Sequence, residues 1–184
     1  MRRLACRFLD FFGISGKGRD EPILRTRRLG SAIIPGTVSN RMTFADLGLS
    51  EDLLKAVSEA GYTQPTDIQR EAIPPVLMMK DIIGIAQTGT GKTAAFLLPL
   101  LQTLKYAQGE APRGLVLAPT KELVVQIHQE ALKFASYTDL RIVAFYGGGG
   151  PKKQIEEIAD GVDLIVSTPG RFLEIYSRGH VETK

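Results

Sequence analysis

Eight consecutive residues, Ala86-Gln87-Thr88-Gly89-Thr90-Gly91-Lys92-Thr93, set bare backbone, an ammonium and a hydroxyl in the order that phosphate chemistry needs. Gly89 and Gly91 let main-chain N–H groups close around an anion, with Thr88 and Thr90 between and beside them. Lys92 reaches the β- and γ-oxygens of a nucleotide, and the Thr93 hydroxyl is a ligand for Mg²⁺. The loop must be held between a strand and a helix N-terminus. Asp81–Ile85 reads as a short buried strand before it, and Thr93–Leu98 opens an apolar helix after it. That setting separates a working phosphate loop from a chance glycine-rich turn. Ala86 stands where the strict pattern has glycine, and a small residue is tolerated there.

Three more clusters lie at predicted strand ends, where an open α/β sheet collects its ligands. They are Pro119-Thr120-Lys121-Glu122-Leu123, Tyr146-Gly147-Gly148-Gly149-Gly150 and Thr168-Pro169-Gly170-Arg171. Each offers a hydroxyl, bare backbone or a cation beside a helix N-terminus, which suits a phosphodiester backbone without base readout. Singly, each has a plainer explanation. Thr120 and Thr168 are good N-caps, four glycines make a turn, and Arg171 could be a surface charge.

The elements that carry these clusters follow from periodicity. Leu53, Leu54 and Val57 share one face of a helix capped by Ser50. Thr66 with Gln69 forms a capping box for a second helix running towards Met79. Strands are predicted at Gly114–Ala118, Arg141–Phe145 and Asp163–Ser167. The helix after the first buries Leu123, Ile127, Ala131 and Phe134. The next runs through Ile155 and Ile158, and the last starts at Pro169, a first-turn residue. Near-continuous apolar strands alternating with helices mean an α/β fold: a parallel sheet with helices on both faces.

Bulk properties narrow the class. The 184 residues suit one domain, with 43% hydrophobic and 23% charged residues. Cys6 is the single cysteine, so no internal disulfide forms, and a reducing, cytoplasmic setting is expected. No apolar run reaches a membrane span. The net charge of +3 is uneven: residues 1–41 carry nine Lys/Arg against three acids, so the remainder is net negative at −3. The basic character therefore belongs to residues 1–41, read as a disordered arm preceding a domain at 42–184. Met42 is the expected native start.

Phe44, a sixteen-residue spacer and Gly61-Tyr62-Thr63-Gln64-Pro65-Thr66-Asp67-Ile68-Gln69 resemble the Q motif of the DEAD-box RNA helicases. Ala86–Thr93 is similar to that family's motif I, Pro119–Leu123 to motif Ia, Gly147-Gly148 to the double-glycine motif, and Thr168–Arg171 to motif Ib. The resemblance covers 42–184 and is greatest to the general bacterial type. It implies a RecA-like P-loop domain that binds ATP and Mg²⁺ and holds RNA by its backbone. Phe44, Tyr62 and Gln69 would serve the adenine, with Gln69 reading its edge and Tyr62 packing against it. The capping box competes for the same Gln69 amide. Thr88 to Thr93 would hold the phosphates, with Lys92 and Thr93 nearest the chemistry. Pro119, Thr120, Lys121, Gly147, Gly148, Thr168, Pro169, Gly170 and Arg171 would grip RNA.

Two departures stand out. Lys121 replaces the family's usual arginine, keeping the charge but losing the planar fork. The 184 residues hold no Asp-Glu-Ala-Asp or Ser-Ala-Thr run and no second RecA-like domain. In the family the corresponding strands lie between the motif I and motif Ia strands. A general base is worth about 10²–10⁴ in rate, and an arginine finger about 10³–10⁵. The resemblance therefore implies the amino-terminal part of an ATP-dependent RNA helicase, expected not to hydrolyse ATP or unwind RNA alone. The alternative is a non-catalytic nucleotide- or RNA-binding module.

Overall fold

In a computed structural model, the structure describes residues 42–105, 111–148, 152–159 and 161–181, together with the backbone of Arg7–Phe8. The rest of the predicted arm, and Gly149-Gly150, lie outside the described residues. A 3-10 helix at Phe44–Leu47 leads into α1 (Glu51–Glu59) and α2 (Asp67–Leu77). Then follow β2 (Ile83–Gly84), α3 (Lys92–Leu104), β3 (Gly114–Leu117), α4 (Lys121–Phe134), β4 (Ile142–Phe145), α5 (Lys152–Ala159), β5 (Leu164–Ser167) and α6 (Pro169–Ser177). Arg7–Phe8, β1, pairs parallel with β2.

The main sheet is parallel in the order β3-β5-β4. Side-chain alternation sorts its residues to two faces. Ile142, Leu164 and Val166 join α1, α3 and α4 in one core cluster around Leu98, Leu101 and Phe134. Val143, Phe145 and Ile165 point the other way, against Ile158, Phe172 and Ile175 of α5 and α6. The central strand β5 is buried along its whole length, which is why it reads as an unbroken apolar run.

Two expectations need correction. The strand before the phosphate loop is buried on alternate residues only: Ile82 and Gly84 are covered, whereas Ile83 and Ile85 are exposed. Among the described residues β2 pairs with β1 and does not join β3, whose Leu115 and Leu117 are exposed as well. On α4 the buried stripe is Val124, Ile127, Ala131 and Phe134, with Leu123 only half-covered. Both i+3 and i+4 neighbours of Thr120 are apolar, so spacing alone left the choice open.

Candidate nucleotide and RNA-backbone site

The phosphate loop leaves the C-terminal end of β2 and returns as the first turn of α3. Gly89 and Gly91 both sit in the left-handed region, with φ of 83° and 86°. Gly91 is needed for a second reason: a Cβ there would lie 2.3 Å from Gln69 Nε2. Its carbonyl accepts from that Nε2 at 3.1 Å and from the Ala95 N–H at 3.1 Å. Thr90 Oγ1 donates to the Gln87 carbonyl at 2.8 Å, and Lys92 Nζ donates to the Ala86 carbonyl at 2.8 Å. The ammonium is thus turned back onto its own loop. Thr93 occupies the second residue of α3, half-buried.

Gln69 is fully buried on α2. Its Oε1 accepts from the Thr66 N–H at 2.9 Å, completing the box, while its Nε2 holds the loop. Both ends of the amide are therefore spent within the protein. The contact joins the α2 N-terminus to the phosphate loop across 22 residues of sequence.

Phe44 and Tyr62 pack edge to face, with ring centroids 6.2 Å apart, and Tyr62 meets Phe134 at 5.5 Å. The Tyr62 hydroxyl donates to Glu130 Oε1 at 2.6 Å. Burial first, and then the Glu130 carboxylate, push its pKa well above the ordinary phenol range. These two rings also line a cavity of about 350 Å³ with Thr43, Ala45, Leu54, Val57, Ser58 and Thr63. That volume falls at the lower end of small-molecule pockets. Gln69 is not among its lining residues.

The second group of predicted residues is aligned by sheet register. Leu117, Ser167 and Phe145 are paired in one row across β3, β5 and β4. Thr120, Thr168 and Tyr146-Gly147-Gly148 all follow that row, so three clusters distant in sequence meet along one edge. Thr120 caps α4 by accepting from the Leu123 N–H at 3.3 Å. Thr168 precedes Pro169 at the start of α6 but makes no side-chain cap bond, leaving its hydroxyl for another partner. A Cβ added at Gly147 or Gly170 would meet open space, so backbone is accessible there. Pro119, Pro169 and Gly170 are exposed beside them.

Arg171 departs from the sequence expectation of a grip at the mouth. Its side chain is 7% exposed. Nε donates to the Tyr146 carbonyl at 3.1 Å, and NH1 pairs with Glu174 Oε2 at 2.9 Å. Lys121 is exposed, with its ammonium 5.1 Å from the centre of the Tyr146 ring.

Sequence reading missed a cluster at the opposite end of the strands. Asp163, wholly buried, accepts from Arg113 NH2 at 2.8 Å, from the Arg141 N–H at 3.0 Å and from Arg141 Nε at 3.4 Å. A carboxylate between Val162 and Leu164 in an apolar run was the available signal, since buried acids need partners.

A parallel α/β sheet with a glycine-rich phosphate loop between strand and helix defines the RecA-like P-loop class. Residues 66–184 match the DEAD/DEAH box helicase family model, and the chain belongs to that family. It is 46% identical over 141 residues to the DEAD-box ATP-dependent RNA helicase RhpA of Helicobacter pylori, covering 77% of this chain and 28% of that protein. To the ATP-dependent RNA helicase DeaD of Escherichia coli K12 it is 45% identical over 141 residues, or 76% of this chain and 22% of that one. The chain thus spans well under a third of these relatives' length. Among solved structures, a DEAD box protein from the hyperthermophile Methanococcus jannaschii superposes with a TM-score of 0.72 at 34% identity, over 77% of this chain and 38% of that one. A hypothetical ATP-dependent RNA helicase from Sulfolobus tokodaii gives 0.66 at 33%, over 72% and 38%.

Proposed function

We propose that this chain is the ATP-binding and RNA-backbone-binding portion of an ATP-dependent RNA helicase. The observation that supports it most is the register of β3, β5 and β4, which gathers Thr120, Gly147-Gly148 and Thr168 on one edge. In this reading ATP draws Lys92 away from the Ala86 carbonyl to the β/γ-phosphates, and the N–H groups from Gly89 to Thr93 cradle them. Thr93 holds Mg²⁺, which neutralises phosphate charge when bound. Adenine is read when Gln69 exchanges the Gly91 carbonyl for the base, so nucleotide entry loosens one restraint on the loop. Phe44 and Tyr62 support the pocket wall. RNA is held through phosphates, without base specificity, by Thr120, Lys121, Gly147, Gly148, Thr168 and Gly170, with Pro119 and Pro169 shaping the turns. We place its work in the cytoplasm, in keeping with the lone Cys6.

The 184 residues contain no Asp-Glu-Ala-Asp run; the alternative reading is a module that binds without catalysis. Both readings expect these residues, by themselves, to bind ATP·Mg²⁺ and RNA without hydrolysis or unwinding. Differential scanning fluorimetry of the full chain tests the binding, and phosphate release tests the rest. No ATP-dependent rise in melting temperature would sink the nucleotide assignment. Phosphate release above the Lys92→Ala background would show that catalysis does not need the absent acid.

A further inference from the structure

The Tyr146 carbonyl is held by two donors from two helices: Arg171 Nε on α6 at 3.1 Å and Gln154 Nε2 on α5 at 3.2 Å. Both of its lone pairs are therefore engaged, and the residue is pinned at the C-terminal end of β4. Its half-buried ring faces the first residue of α4, where the Lys121 ammonium stands 5.1 Å from the ring centre. A Cβ on the neighbouring Gly148 would come within 3.9 Å of the same ammonium, and φ at Gly148 is 100°. A lysine at this place is a flexible point charge with four rotatable bonds, and ordering it costs entropy at the moment of binding.

We propose that Tyr146 is a positioning residue for RNA binding: its ring holds the Lys121 ammonium over the bare backbone of Gly147-Gly148, ready for a backbone phosphate. Arg171 and Gln154 act one step further back, by fixing Tyr146. This inference rests on the RNA-backbone reading above and gives its three clusters a physical connection. It also reassigns Arg171, a buried guanidinium already bonded to Tyr146 and Glu174, from gripping RNA to supporting the residue that orients the grip. A ring–cation contact at an exposed site is worth about a two- to fivefold change in an equilibrium.

The test uses the full chain with a short fluorescein-labelled oligouridylate, read by anisotropy in ATP·Mg²⁺. Tyr146→Leu is expected to weaken binding about two- to fivefold, and Tyr146→Phe, which keeps the ring face, to restore it. In a Lys121→Met background the same Tyr146→Leu change is expected to have no further effect, which a purely structural role for the ring would not produce. Melting temperature and ATP affinity should stay unchanged in Tyr146→Phe. Without RNA, the Lys121 ε-methylene protons should show an upfield ring-current shift that Tyr146→Leu removes. Equal affinity for wild type and Tyr146→Leu, or an undiminished loss in the Lys121→Met background, overturns the positioning role alone. Absence of the ring-current shift overturns the contact, even if a variant folds poorly. A wild-type chain that shows the shift yet binds no oligouridylate overturns the RNA reading, and this role with it.

Discussion

The two ends of β3, β5 and β4 are built from similar residue types used in opposite ways. At the start of the strands, Asp163 is sealed from solvent and saturated by Arg113, Arg141 and a backbone N–H. The Arg113 and Gly114 N–H groups both reach the Asp163 carbonyl, and the Asp163 N–H reaches the Arg141 carbonyl, so the same residue sets the register of all three strands. At the far end, past the row of Leu117, Ser167 and Phe145, hydroxyls, glycines and a lysine are left in reach of solvent. A buried charge is useful only when its partners are complete, and a recognition surface only when some partners are missing. The difference teaches that charge identity does not locate a site here; the state of its hydrogen bonds does.

The comparison breaks most visibly at Asp163. Asp163→Ala takes the shared acceptor from two partly exposed guanidinium groups and from the Arg141 N–H, and is expected to cost about 3 kcal/mol, read by urea denaturation. The remaining folded chain should bind oligouridylate unchanged; a parallel loss would mean the two ends are not separable. Lys92→Ala should cost at most about 1 kcal/mol without ligand. With ATP at a hundredfold excess over its dissociation constant, however, it should forfeit a stabilisation of about 2.7 kcal/mol. Thr120→Ala sharpens the contrast, because the cap serves both roles: about 1 kcal/mol of stability and a measurable part of RNA affinity should go together. The smallest effect is expected from Lys121→Arg. A planar guanidinium can stack on Tyr146 and fork to a phosphate, so anisotropy should show modestly tighter oligouridylate binding with no change in melting temperature. Unchanged or weaker binding would show that the fork geometry is not what this position lacks.

Much of this was legible in the residues. The three strands of the main sheet came out within a residue, because a strand buried on both faces must be an apolar run, as Leu164–Val166 is, whereas the strand expected at Asp81–Ile85 is only Ile83–Gly84. The phosphate loop, the Thr66–Gln69 box and the Thr120 cap are local, with every partner within a few positions. Failures share the opposite property. Arg171 looked like a free cation because its acceptor, the Tyr146 carbonyl, lies 25 residues earlier. Ile83 and Ile85 looked buried because hydropathy cannot say whether a strand acquires a neighbour. The Ser50 N–H is met by Gln102 Oε1, 52 residues away, and the Ser50 side chain makes no cap bond to its own helix.

The sequence by itself determined which chemistry is present: a phosphate loop, three clusters suited to an RNA backbone, and membership in a helicase family. Local spacing encodes these, since turn, cap and strand are settled within a few bonds. Only the tertiary structure decided which groups are spent and which are available. Gln69 and Lys92 are engaged with the loop, Arg171 is buried behind Tyr146, and Lys121 stands exposed. Those outcomes depend on the directions in which side chains from distant segments converge, and it is convergence in space that satisfies a hydrogen bond or leaves it open.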